Sequence, residues 1–158
     1  MLPRQDVSAA QKESSLHNFV TPPLHVVVVD SDQELRHTIV AGLRTAGYRV
    51  QAASGANSAK ALLADQPPAL VLTELWMPDG NGWDLLLHCQ MRWPLLPVLL
   101  MSKTSLGQQP EIECWAAGFL PKPVSMSQLL SEVSRLAARR TFAQNPNLAG
   151  LASRRPAG

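Results

Sequence analysis

Residues 25–32 read HVVVVDSD. After the histidine, four β-branched residues run without a polar break, as expected of a strand buried on both faces of a parallel sheet. The run ends on two acids separated by a serine. Working outward, Leu35, Ile39 and Leu43 recur every four residues and place one apolar stripe on a helix that Gly47 ends. Tyr48–Ala52 reads as a weaker edge strand, and Ser58–Ala64 as a short helix closed by Pro67-Pro68. Ala69–Thr73 is the next apolar strand. Beyond a loop holding Pro78, Gly80 and Gly82, the residues Trp83, Leu86, Leu87 and Gln90 mark a third helix stopped before Pro94. Val98–Met101 is a fourth strand, Glu111–Ala117 a helix, and Gly118–Leu120 a short fifth strand. A last helix opens on the S-x-x-Q capping box Ser125–Gln128 and turns Met126, Leu129, Leu130, Val133 and Leu136 inward.

Five strands alternating with five helices predict an α/β doubly wound fold, with a five-stranded parallel sheet and helices on both faces. In such sheets the functional crevice lies at the carboxyl ends of the strands. The residues there are Asp30, Ser31, Asp32, Glu74, Ser102, Lys103 and Lys122. Acids, a hydroxyl and lysines at one edge suit phosphoryl chemistry, because carboxylates hold a cation while donors bind phosphoryl oxygens.

At 158 residues and 46% apolar content, the chain has the length of one domain with tails. Its net charge of +2 divides unevenly. Five of the 14 basic residues (Arg135, Arg139, Arg140, Arg154 and Arg155) follow the last acid, Glu132. The nine earlier ones face all 12 acids, leaving the body acidic and the end basic. We expect a flexible arm over 1–23, a domain over 24–140 and a disordered basic tail over 141–158. Contact with nucleic acid is expected, if at all, from that tail. No apolar run approaches a membrane span and no signal-peptide core is present, so a cytoplasmic protein is expected. Cys89 and Cys114 lack metal-type spacing. His17, His25, His37 and His88 have no ligand spacing either, and each is read as structural or surface.

VVVVDSD, LVLTELWMPDGNGWDLL, PVLLMS, Phe119 and Lys122-Pro123, taken in order, resemble the receiver domain of bacterial two-component response regulators over roughly residues 24–138. That resemblance implies a flavodoxin-like sheet of order 2-1-3-4-5. It also implies a phosphoacceptor at position 74, Mg²⁺ on the acids after the first strand, phosphoryl-oxygen ligands at Ser102 and Lys122, and a switch aromatic at Phe119. Partners implied are a sensor kinase or output protein. A homodimer is implied through the face made by the fourth helix, fifth strand and fifth helix, where Trp115 and Phe119 fall.

Three residues depart from the pattern. Glu74 replaces the aspartate, and one added methylene moves the carboxylate by ~1.5 Å; misplacement of ~1 Å costs ~100-fold in an in-line reaction. Ser31 replaces the second acid, leaving Asp30 as a weakened Mg²⁺ position. Ser31–Glu34 also forms an S-x-x-E capping box, and we read Ser31 as the cap of the first helix. Lys103 follows the hydroxyl where a small residue is usual; it either projects over the pocket or is a solvated loop lysine. The expectation is a stand-alone atypical receiver that acts by protein–protein interaction without phosphorylation and without a cofactor, not an enzyme. A conventional phosphorylatable switch is the alternative. A third reading takes Val26–Asp32 as the opening motif of haloacid-dehalogenase-type phosphatases, with Asp30 as nucleophile, but the closing pair of acids is absent.

Overall fold

The computed structural model describes residues 22–104 and 115–144, with side chains described as far as residue 139. Strand β1 (His25–Val29) carries four valines, Val26–Val29, each fully buried. Helix α1 (Gln33–Thr45) follows, and Gly47, at φ +93°, takes the left-handed conformation that turns the chain into β2 (Arg49–Ala53). Next come α2 (Ala56–Asp65) and β3 (Leu70–Glu74). A two-rung hairpin of β4 (Trp76–Met77) and β5 (Gly80–Asn81) then leads into α3 (Gly82–Arg92). The chain continues through β6 (Val98–Ser102), β7 (Gly118–Pro121) and α4 (Met126–Gln144).

The five long strands form one parallel sheet of order β2-β1-β3-β6-β7. Strand alternation sorts the core into two layers. Val27, Val29, Val71, Val98 and Leu100 face one side, where α2 supplies Ala59 and Leu63, and α3 supplies Leu85, Leu86 and Cys89. Val26, Val28, Leu72, Leu99 and Met101 face the other, against Ile39 and Leu43 of α1 and Leu129, Val133 and Leu136 of α4. The expected fold class is therefore observed, with four helices among the described residues.

The details differ in three places. The buried stripe of α3 is Gly82, Leu85, Leu86 and Cys89, so of the expected line Trp83, Leu86, Leu87 and Gln90 only Leu86 is fully buried. Trp83 and Trp93 lean on that core from its edge. The first-helix cap is Asp32, not Ser31: its side chain accepts the N–H groups of Glu34 and Leu35, one residue later than the capping-box reading. Finally, α4 runs on to Gln144, past the expected start of the tail. The helix expected over 111–117 lies outside the described residues except for its last three, as do the arm up to residue 21 and the tail after Gln144. No helix among the described residues is long and apolar enough to cross a membrane.

Candidate functional site

Sheet register brings the pocket together. Val29 pairs with Thr73, so Asp30 and Glu74 stand on the next rung at the carboxyl ends of β1 and β3. Glu74 pairs with Met101 and Ser102 with Pro121, which places Lys122 one step beyond β7 at the same edge. The N–H of Leu75 donates to the Met101 carbonyl (2.8 Å) and that of Lys122 to the Ser102 carbonyl (2.8 Å), extending the sheet pairing into the site. The Lys122–Pro123 peptide is cis. The order of strands reverses between β1 and β3, where crevices form in doubly wound sheets.

Lys122 Nζ lies 2.7 Å from Glu74 Oε1 and 2.8 Å from Asp30 Oδ2. Asp30 is fully buried, and the side chains of Lys122 and Glu74 retain only 5% and 13% exposure. The second oxygen of Glu74, Oε2, accepts the Ser31 hydroxyl at 2.6 Å and the Ser31 N–H at 3.1 Å. Partial burial opposes ionisation of Glu74, yet the Lys122 ammonium and the two Ser31 donors outweigh it and hold the carboxyl below its usual range. Burial likewise works against the charge on Lys122, but Asp30 and Glu74 together push its pKa up. The remaining Asp30 oxygen, Oδ1, accepts the Asp32 N–H at 2.9 Å. Asp32, exposed, is held low chiefly by the Leu35 N–H it caps.

Ser102 is buried at the same edge, but its hydroxyl is turned to Thr104, 3.0 Å from that hydroxyl and accepting that N–H at 3.1 Å. Phe119 is half-buried against the core shared with α2 and α3. Lys103 is exposed and lines a cleft of about 940 Å³ above Glu74, walled also by Leu35, Pro78, Pro123 and Val124. So Asp30, Glu74 and Lys122 converge with Ser31, while Ser102 lines a small pocket beside Glu74 with its hydroxyl on Thr104, and Phe119 packs against the core.

Sequence reasoning missed three participants. Arg36 donates to the Asp30 carbonyl at 2.6 Å and pins the turn that carries Ser31. Asp79, on the β4–β5 turn, accepts the N–H groups of Ala56 (2.9 Å) and Asn57 (3.0 Å) and so caps α2 from outside that helix. A signal for it was present, because α2 opens on Gly55, which has no side chain to cap with. The third is the donation from Ser31 to Glu74, across 43 residues.

Gly82, five residues after Met77 and at the start of α3, also acquires a reason. A Cβ on Gly82 would run into the Glu74 carbonyl oxygen and stand 3.1 Å from Leu75 Cα, while the Gly82 N–H donates to the Leu75 carbonyl at 2.7 Å. The close backbone approach leaves no room for a side chain beside the Glu74 carbonyl.

Comparison with known proteins agrees with the geometry. The family model for the response regulator receiver domain matches residues 26–134. The DNA-binding transcriptional regulator NtrC of Rhizobium meliloti (strain 1021) is 34% identical over 115 residues, 72% of this chain and 24% of that protein. The two-component response regulator ORR11 of Oryza sativa subsp. japonica is 34% identical over 123 residues, 74% of this chain and 80% of its own length. This chain thus spans about a quarter of the NtrC relatives and most of the rice one. Among solved structures, a CheY-like receiver domain protein from Methanospirillum hungatei JF-1 superposes with TM-score 0.72 at 20% identity, covering 77% of this chain and 98% of that one. Chemotaxis response regulator CheY4 of Vibrio cholerae gives 0.68 at 24%, covering 72% and 98%. The chain belongs to the response regulator receiver domain family of two-component signalling.

Proposed function

We infer that this receiver works as an interaction module whose pocket is set by an internal ion pair rather than by transfer of a phosphoryl group. One observation carries the reading: both oxygens of Glu74 are engaged, Oε1 by the Lys122 ammonium and Oε2 by the Ser31 hydroxyl and N–H. A carboxylate held in this way is a poor nucleophile. Its extra methylene also moves it off the line of attack on which phosphoryl transfer depends.

The donor set does not fit Mg²⁺. That ion takes oxygen ligands at ~2.0–2.1 Å in near-octahedral array, commonly one or two free carboxylates completed by water and phosphate. Here the Lys122 ammonium bridges Asp30 and Glu74, and position 31 offers a hydroxyl already donating to Glu74. Among the described residues, no group of three His, Cys, Asp or Glu is placed to hold a metal ion. Asp30, with Lys122 on one oxygen and the Asp32 N–H on the other, is equally ill-placed to be a phosphatase nucleophile.

The partner on this reading is a signalling protein, either a kinase or an output protein, or a second copy of the chain. Trp115, 53% exposed, lies just ahead of β7 and is the anchor we assign to that contact. The decisive experiment is incubation with acetyl phosphate and Mg²⁺, followed by intact-mass measurement. The expected result is an unmodified chain. A stoichiometric phosphoryl adduct that disappears in Glu74→Ala would overturn the reading in favour of a conventional switch.

A further inference from the structure

We propose that Ser31 is a positioning residue for Glu74, its hydroxyl holding the carboxylate in place on the Lys122 ammonium. The inference rests on the reading that Glu74 is held in place rather than phosphorylated.

The turn Asp30–Ser31–Asp32 is fixed on three sides. Asp30 Oδ1 accepts the Asp32 N–H at 2.9 Å. Asp32 Oδ1 accepts the Glu34 and Leu35 N–H groups, each at 3.0 Å, and so fastens the turn to α1. Arg36 reaches back from the first turns of α1 to the Asp30 carbonyl at 2.6 Å. With the turn held, both donors of Ser31 face Glu74 Oε2. The N–H would be there for any residue except proline. The hydroxyl is what serine adds, and at 2.6 Å to a carboxylate it is a short, charge-assisted bond. It is not needed as a helix cap, because Asp32 fills that role.

Serine at 31 and glutamate at 74 therefore suit each other. An aspartate at 74 would be shorter by one methylene, ~1.5 Å, and would withdraw its oxygen from the hydroxyl. An acid at 31 would set a second negative charge against Glu74 Oε2, an arrangement that forces one group to protonate or calls in a cation. With serine, Glu74 is satisfied from one side by Ser31 and from the other by Lys122, whose ammonium it shares with Asp30.

The test uses the full chain and urea unfolding. Ser31→Ala is expected to lower the folding equilibrium constant about tenfold when Glu74 is present, as loss of one hydrogen bond to a charged group does. In a Glu74→Ala background the same change should have little effect, and Ser31→Thr, which keeps the hydroxyl, should behave as the wild type. Ser31→Asp, which sets a second carboxylate against Glu74, should unfold at lower urea than the wild type. Independent effects of Ser31→Ala and Glu74→Ala, or a Ser31→Thr protein as weak as Ser31→Ala, would overturn the proposal. A phosphoryl adduct on the wild type would instead strike the proposed function and leave the Ser31–Glu74 coupling to be judged by the cycle.

Discussion

Lys122 and Glu74, 48 residues apart, form a nearly buried ion pair with Nζ 2.7 Å from Oε1. Its pH dependence has a definite sign. The carboxyl of Glu74 is depressed below its ordinary 4.5, so its contribution is fully present above that value and is lost as pH falls through the folded pKa. Lys122 is raised above its ordinary 10.5, so its contribution is fully present below that value and is lost as pH rises beyond it. Stability from this pair should be flat between the two ordinary values and decline outside them. Lys122→Met leaves Asp30 and Glu74 uncompensated and should cost about 3–5 kcal/mol in urea unfolding at neutral pH. That variant should gain stability as pH is lowered toward the carboxylate range, the reverse of the wild type. A variant that follows the wild-type profile would show the pair to be energetically idle.

Most of the sheet could be read from the sequence because burial on both faces leaves an unbroken apolar run, as at Val26–Val29, Leu70–Leu72 and Val98–Met101. The pocket edge followed from topology, since the residues after parallel strands collect at one end. What failed was local. Ser31 and Asp32 are both good caps in adjacent positions, and periodicity does not choose between them. In the structure the Asp32 side chain takes the cap, and the Ser31 hydroxyl donates to Glu74 instead. In α3, spacing suggested Trp83, Leu86, Leu87 and Gln90, but of these the sheet buries only Leu86, alongside Leu85 and Cys89. Side-chain aim was also out of reach: Ser102 stands at the expected position, and only the nearby Thr104 explains where its hydroxyl goes.

Asp79 ties the turn after β4 to the start of α2, and a change there should register in α2. The N–H groups of Asn57 and Ala56 hold its carboxyl below the ordinary 3.8, so the tie persists at neutral pH and is released only as acid protonates Asp79. Asp79→Ala should speed amide exchange at Ala56 and Asn57 several-fold while leaving α1 amides unchanged. Asp79→Asn, which keeps an acceptor oxygen, should fall between. Gly55→Ala should imitate Asp79→Ala, because its Cβ would displace the Asp79 carboxylate while the backbone, at φ −168°, tolerates any residue. Unchanged exchange in all three variants would remove this cap from the account.

Cys89 is buried in the core between α3 and the sheet, and burial pushes its thiol up to about 12. Thiolate is the reactive form, so almost none is present at neutral pH. In a Cys114→Ser protein, Cys89 should resist a disulfide-exchange reagent under native conditions and react fully in urea. Rapid native labelling would show that the α3 side of the core opens readily.

Gly82 and Gly47 separate two ways in which an alanine can be unwelcome. At Gly47 an added Cβ meets nothing within 4 Å, and the cost lies in the backbone, φ +93°. Gly47→Ala should therefore lose about 1–2 kcal/mol, the penalty of a left-handed L-residue. At Gly82 the added atom meets the Glu74 carbonyl and Leu75 Cα, both backbone and unable to swing aside. Gly82→Ala should lose about 1–3 kcal/mol through overpacking, so stability alone does not tell the two variants apart. The Ser31 amide does. It donates to Glu74 Oε2, so displacing the Glu74 backbone alters that bond, whereas the turn at Gly47 lies beyond the far end of α1. The Ser31 amide resonance should shift in Gly82→Ala and stay in place in Gly47→Ala. If both variants left it unmoved, the close approach at Gly82 would serve the hairpin alone and not the placement of Glu74.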